Sequence, residues 1–379
     1  MSSRWRGLLG LPVAVLLTAS CGAKPATVAS ALPVDLAYYS TYAHSASDPI
    51  QGLATVYSLD WTGKPHPTIR IWQPAGVGPK HGPAPRMIRG VSPDGSRLLL
   101  SDGTALDQSG HPVGQIDGTA GFGWRWAEDN AHICELTVPG YASLKGGTLE
   151  GPVSLLWTSL GSASRTVAVV GSAGPSDSVE VLACNKDTDR AVVMQSTIVS
   201  VPNRNTMSAI SAAKELMVIE ISTGRFLYRH TYPTGSQPLS GTMVVVSNDG
   251  RYAAESLHYA ALEMKLSRDP ASATTIRELP SGRELGTIDS GNIVAFSGDG
   301  SLVLTTTLAA ADSVQSQLID WKTGQPAWKR PGGFQFVLAN PRGHAFLIVQ
   351  NEALWLTRDD GSWQQIATGV DELYSISGG

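Results

Sequence analysis

The sequence predicts an all-β protein, a β-propeller of seven four-stranded blades closed by the C-terminal strand. Three observations predict it. Short runs of Val, Leu, Ile, Thr and Tyr alternate with Gly, Pro, Asn and Asp along the 379 residues, the punctuation of short strands and tight turns. Gly 40 and Pro 23 exceed average usage, which is about 12% for the two together. Two turn motifs recur along most of the chain, and a repeat of this length is one supersecondary unit that must stack on its neighbours.

The first motif is an apolar strand followed by an Asp-Gly turn. It stands at Val91-Ser92-Pro93-Asp94-Gly95, Val246-Ser247-Asn248-Asp249-Gly250 and Phe296-Ser297-Gly298-Asp299-Gly300. Weaker forms are Ala127-Glu128-Asp129-Asn130, Asn185-Lys186-Asp187-Thr188 and Asn340-Pro341-Arg342-Gly343. Gly takes φ > 0 there without steric cost. The second motif runs through an acidic or polar residue to a Gly turn, as in Leu59-Asp60-Trp61-Thr62-Gly63 and Ile319-Asp320-Trp321-Lys322-Thr323-Gly324. Its glycines fall at 63, 110, 161, 224, 282, 324 and 361. These spacings place seven units at 36–72, 87–117, 120–170, 179–230, 242–288, 292–330 and 333–367. Each is four strands, A to D, with the Asp-Gly turn joining A to B and the second motif joining C to D. Unit one lacks a first strand, and the leftover segment 372–377 is expected to supply it and latch the ring. Stacked sheets are buried on both faces, which accounts for only 16% charged residues.

The Ser-Pro-Asp-Gly turns resemble the WD40-like repeats of TolB-type bacterial propellers. The segment from Leu318 to Trp328 resembles instead the repeat of pyrroloquinoline-quinone-type and BamB-type propellers. That second resemblance implies that Trp328 docks on the neighbouring blade. Neither implies a particular activity, because the shared residues form turns and packing.

The N-terminus reads as an address. Arg4 and Arg6 precede an apolar run from Gly7 to Leu17, then Thr18-Ala19-Ser20-Cys21. This is a secretory signal, and its run is too short for a span of about 20 residues. The end of it resembles the lipobox of bacterial lipoproteins, although Thr18 stands where Leu is usual. The resemblance implies cleavage before Cys21 and a diacylglycerol on its thiol. The expected organisation is a signal peptide over 1–20, a lipidated Cys21 with a flexible tether over 21–35, and one propeller domain over 36–379. Loss of Arg4 and Arg6 takes the net charge from -4 to -6. Such a surface argues against a nucleic-acid partner, which needs positive charge to release counterions. Cys134 and Cys184 then remain as a pair. In an oxidising compartment they form either a disulfide or two buried thiols.

The A–B and C–D turns are short and share one face of the ring. The B–C and D–A connections on the other face hold the irregular sequence, at 139–152, 196–214 and 257–273 between B and C, and at 73–85, 172–178 and 231–240 between D and A. Long loops in compact folds carry function. The expected partner contacts are Tyr141, Lys145, Asn203, Arg204, His258, Tyr259, Lys265 and Arg268, since Tyr and Arg are favoured interface anchors. Residues 257–267 also fit a short amphipathic helix.

Motifs for chemistry are absent. No His-Glu-x-x-His, Gly-x-Ser-x-Gly or phosphate loop occurs, so no cofactor, metal or catalytic residue is assigned. Asn185, Asp187 and Asp189 alternate like the start of a calcium loop but lack its later Gly and Glu. Trp124 and Trp126 are read as blade-packing residues on opposite faces of one strand. The expectation is a membrane-anchored, extracytoplasmic binding or scaffold lipoprotein whose loop-rich face takes a protein, peptide or envelope glycan. The alternatives are a propeller enzyme (lactonase, lyase or quinone-dependent dehydrogenase) or a BamB-like envelope assembly factor.

Overall fold

The computed structural model describes residues 35–45, 48–70, 88–116, 123–138, 151–173, 177–203, 206–232, 240–259, 273–289, 292–309, 313–358, 360–370, 372–374 and 377–378. Cys21 and its tether lie outside them.

Seven antiparallel sheets follow one another along the chain. Blade one holds β1 (Leu36–Ser45), β2 (Asp48–Asp60) and β3 (Pro65–Arg70). Blade two holds β4 (Ile88–Val91), β5 (Arg97–Leu100), β6 (Thr104–Asp107) and β7 (Pro112–Gln115). Blade three holds β8 (Gly123–Trp126), β9 (His132–Thr137), β10 (Gly151–Ser159) and β11 (Arg165–Ala173). Blade four holds β12 (Asp177–Asn185), β13 (Arg190–Asn203), β14 (Thr206–Glu220) and β15 (Phe226–Thr231). Blade five holds β16 (Ser240–Val246), β17 (Tyr252–Tyr259), β18 (Thr274–Glu278) and β19 (Glu284–Ile288). Blade six holds β20 (Asn292–Phe296), β21 (Leu302–Ala309), β22 (Ser313–Asp320) and β23 (Gln325–Pro331). Blade seven holds β24 (Phe336–Ala339), β25 (Phe346–Gln350), β26 (Ala353–Thr357) and β27 (Trp363–Thr368).

The C-terminal strand closes the ring. β28 (Glu372–Tyr374) pairs with β1 as the missing inner strand of blade one, with Tyr374 opposite Tyr38. The tail is not one strand, however. β29 (Ser377–Gly378) leaves blade one and adds a fifth strand to blade three, with Ser377 opposite Arg125 of β8. The free inner edge of β8 offers unpaired backbone groups, and the tail satisfies them.

Each interface between adjacent blades has its own hydrophobic cluster. Leu36, Tyr38, Ile88 and Val91 join blades one and two. Cys134, Leu136, Val181 and Met217 join three and four. The same pattern repeats around the ring. Alternate residues of a strand face opposite neighbours, so both faces of each sheet are largely apolar, with Arg89, Arg125, Glu135 and Glu255 as charges set within the strands. Trp124 and Trp126 correct the sequence reading. Both lie on the blade-two side with Leu99 and Ile116, because residues two apart on a strand share a face. Trp328 docks on blade seven, edge-on to Trp363 at 5.2 Å between centroids.

The recurring turns share one hydrogen-bond scheme. In the A–B turns Ser92, Ser247 and Ser297 each donate Oγ–H to the carboxylate two residues on, at 2.8, 2.6 and 2.7 Å. That carboxylate also accepts a backbone N–H two residues further along the chain, as from Ser96 at 2.8 Å. Gly95 has φ +69, and a Cβ there would sit 2.3 Å from the Leu36 carbonyl of blade one, so the motif glycine also lets two blades approach. In the C–D turn of blade one, Asp60 accepts the backbone N–H of Thr62 at 2.9 Å and of Lys64 at 3.1 Å, and pairs with His66 at 3.1 Å.

That geometry carries a pH prediction. Burial raises the Asp60 pKa, but the hydrogen bonds from Thr62, His66 and Lys64 outweigh it and hold the group at about 2. A carboxylate with a depressed folded-state pKa stabilises the fold above its ordinary value of 3.8, and the benefit fades as pH falls toward 2. Asp60→Asn is therefore expected to cost about 2 kcal/mol at pH 7 and nearly nothing at pH 2. Urea titrations at both pH values check it, and an equal cost at both would refute it.

Two expected irregular segments are strands. The stretch 196–214 is most of a hairpin, since β13 and β14 stay paired out to Asn203 opposite Thr206. Residues 257–259 belong to β17, paired with β16 up to Ser240 opposite Tyr259. The proposed helix over 257–267 is excluded at its start for that reason, and the remainder lies outside the described residues.

Candidate functional site

The B–C face is built by hairpins that outgrow their own blades. In blade four the inner strand ends with Asp177 opposite Thr197, and β15 ends with Thr231 opposite Glu215. The β13–β14 ladder continues to Asn203. Six further residues of strand extend roughly 20 Å. Blade one does the same. β28 covers β1 only to Ser40, yet the β1–β2 ladder continues to Ser45 opposite Asp48. The β16–β17 ladder also passes beyond β18, whose contact with β17 ends at Glu255. Asn203, His258 and Tyr259 therefore sit at the tips of projecting strands on one face. Tyr141, Lys145, Arg204, Lys265 and Arg268 lie outside the described residues. The blade-one projection was missed by sequence reasoning, because its B–C connection reads as ordinary strand.

Under this face, between blades two and three, is a cavity of about 20 Å³. That volume suits about one water-sized group. It adjoins the B–C turn of blade two, where Gly103 N–H donates to Leu100 O at 3.0 Å. Leu99, Ile116 and Ile133 form apolar walls, and Arg89, Trp124 and Glu135 supply polar groups. The register shifts between Ile88 and Gly90. Arg89 is thus the extra residue of a bulge, a device that re-aims a side chain. Among the described residues its guanidinium has no hydrogen-bond or ion-pair partner. Trp124 and Glu135 are opposite one another in the β8–β9 ladder, so their side chains share a face. Trp124 is 4% exposed and its buried indole N–H has no hydrogen-bond partner. Glu135 is 5% exposed.

On the opposite, short-turn face, Arg125 Nη2 donates to Asn248 Oδ1 of blade five at 2.7 Å. Burial lowers its pKa to about 10, opposed by Glu128. The Glu128 carboxyl is raised by burial and by the charges of Asp249 and Asp187, and lowered by the hydrogen bond from Asn185 Nδ2 at 2.8 Å. This network ties blades three, four and five. Sequence reasoning missed both arginines. The available signal is a charge inside an apolar inner strand, as in Ile88-Arg89-Gly90-Val91 and Trp124-Arg125-Trp126.

Among the described residues, Ser301, His344 and Asp299 form a Ser–His–Asp trio. Both Ser301 Oγ (3.2 Å) and Asp299 Oδ2 (2.8 Å) meet the same His344 nitrogen, Nε2. A nucleophilic relay uses one ring nitrogen for each partner, an arrangement that these two contacts, both to Nε2, do not make; they join two turns. Among the described residues no group of three His, Cys, Asp or Glu is placed to hold a metal, and no helix is long and apolar enough to cross a membrane. The segment 185–189 is the A–B turn of blade four, with Thr188 N–H donating to Asn185 Oδ1 at 2.8 Å. Cys134 of β9 and Cys184 of β12 bridge blades three and four, with Cα atoms 5.9 Å apart.

No protein-family model matches the chain, and no curated protein does. Solved structures match the fold. The chain is similar to a prolyl endopeptidase, with a TM-score of 0.52 and 12% identity over 88% of this chain and 50% of that one. It thus spans about half the length of that protein. It is also similar to the propeller domain of the trilobed protease of Pyrococcus furiosus (TM-score 0.46, 12% identity, 90% and 97% covered). A third likeness is the acylaminoacyl peptidase of Pyrococcus horikoshii (TM-score 0.48, 12% identity, 88% and 50% covered). At this identity the likeness establishes the propeller ring alone.

Proposed function

We propose that this protein is an extracytoplasmic binding propeller, anchored through a lipid on Cys21, that presents its B–C face to a protein, peptide or glycan of the cell envelope. The observation that carries the reading is that, among the described residues, the B–C hairpins of blades one and four and the long strand pair β16–β17 of blade five extend on one face, while the other face has tight turns. Such projections create concave space between them, and hairpin backbones hold it more rigidly than open loops do. The bridging geometry of Cys134 and Cys184 supports an oxidising compartment. The basic start, short apolar run and Cys21 support export and anchoring.

The test is a shortened hairpin. Thr197 and Ala212 are opposite one another, so a two-residue turn can join them and remove 198–211. The variant is expected to melt within a few degrees of the parent and to lose at least tenfold of the partner recovered by crosslinking from intact cells. Full recovery with the shortened hairpin would remove this face from the argument. In parallel, Cys21→Ser is expected to move the protein from the membrane pellet to the soluble fraction, and an unchanged distribution would refute the anchor.

A further inference from the structure

We propose that the ring is held with its short-turn face toward the lipid bilayer and its B–C face directed away from it, so that the partner is an envelope component standing beyond the ring and not one embedded in the membrane. The proposal rests on the reading of Cys21 as a lipid anchor and says which way that anchor turns the recognition face.

The chain enters the ring at the short-turn face. Leu36 N–H donates to the carbonyl of Asp94 at 3.0 Å, and the Asp35 carboxylate pairs with the Arg342 guanidinium at 3.5 Å. Asp94 and Arg342 belong to the A–B turns of blades two and seven, the two neighbours of blade one. The A strands of a propeller line its axis, so these turns surround the mouth of the ring. The entry point therefore lies toward the centre of that face and not at its rim. From there β1 runs away for 10 residues to the B–C end of its blade, where Ser45 is opposite Asp48. Blade four reaches further, since β13 covers 14 residues, roughly 45 Å of strand.

Chain length then limits how the ring can sit. Cys21 and Asp35 are 14 positions apart, a reach of at most about 50 Å. To set the B–C face on the bilayer, that segment would have to match the height of the blade-four hairpin, roughly 45 Å. It would also have to pass outward across β2 and β3 to the rim, two strand spacings of about 4.8 Å each, which together exceed its reach. With the short-turn face toward the bilayer there is no detour. The tip of the blade-four hairpin then stands roughly 45 Å or more from the lipid, beyond a partner lying in the membrane plane.

Energy transfer to the bilayer tests the orientation. The lipid occupies the Cys21 thiol and the bridge occupies Cys134 and Cys184, so a single introduced cysteine takes the dye. The full chain is purified from membranes with Ser109→Cys in an exposed C–D turn, with Asn203→Cys at the end of the β13–β14 ladder, or with Thr368→Cys at the exposed B–C end of β27. Each is added to phosphatidylcholine vesicles whose headgroups carry the acceptor. Transfer from position 109 is expected to exceed that from position 203 at least threefold, with position 368 between them. Equal transfer, or more from position 203, would overturn the proposal. Position 368 keeps the comparison if the hairpin variant impairs folding. Flotation of the same vesicles separates the two readings. Protein that fails to float removes the anchor and this orientation with it, whereas protein that floats with equal transfer removes the orientation alone.

Discussion

A chain ending at Val370 is expected to lose its cooperative unfolding transition or to have it shifted far down in urea. That truncation removes β28, whose Leu373 and Tyr374 are 8% and 3% exposed. Adjacent strand residues face opposite sides. Leu373 accordingly packs with Ala37, Tyr39 and Leu347 at the blade seven–one interface, and Tyr374 with Leu36, Tyr38 and Ile88 at the one–two interface. Burying two such side chains contributes about 3–6 kcal/mol. A whole domain is stable by about 5–15 kcal/mol, so the closure is a large fraction of the total. The three backbone pairs to Tyr38, Tyr39 and Ser40 are lost as well. A chain ending at Tyr374 keeps those contacts and loses only the two rungs of β29 on β8. It is expected to unfold within about 1 kcal/mol of the full chain. Tryptophan fluorescence in urea compares the three chains. If the Val370 chain unfolds like the full one, the closure contributes little and the assignment of β28 as a structural strand fails.

The second large effect is expected from Cys134→Ala combined with Cys184→Ala. The bridge closes a loop with a sequence separation of 50, for which chain entropy gives about 4 kcal/mol of stabilisation. Both cysteines are 1% exposed, so reduction of the native protein is expected to need denaturant. The double variant is expected to lose about 4 kcal/mol in urea, with blades three and four the first to open. Protein exported to an oxidising compartment and then denatured without reductant is expected to show neither of these two thiols free. Two titratable thiols in that sample would refute the pairing.

Blade number and strand order were legible because the fold is local. Each blade is a run of hairpins, and the turn residues mark where each strand ends. Asp94-Gly95 and Asp299-Gly300 could be placed from sequence because the side-chain hydrogen bonds that shape those turns span two to five residues. The latch was legible for a similar reason, since blade one had no inner strand and one strand was left over. The hairpins were harder. The stretch 196–203 carries Pro202 and runs into Asn203-Arg204-Asn205, turn-forming residues that make the whole connection read as loop. The amphipathic pattern in 257–267 misled differently, since Leu257, His258 and Tyr259 are held by the backbone ladder to β16. The cavity was not legible at all. Arg89 is one residue in a short apolar strand, and only the bulge opposite Leu99 and Leu100 sends it toward Trp124 and Glu135 of the next blade.

The ring was legible in the residues alone: strand length, turn position, the two-sided burial that keeps charges few, and the strand that closes it. These follow from period-two patterning and from glycines at positions where φ must be positive, both of which act over a few residues. The tertiary structure decided what lies between blades. It bridged Cys134 to Cys184, sent Arg125 to Asn248, turned the last residues onto β8, and brought Arg89, Trp124 and Glu135 around one cavity. Those pairings join residues tens to hundreds of positions apart, and their geometry depends on how twisted sheets stack around an axis, which no local pattern encodes.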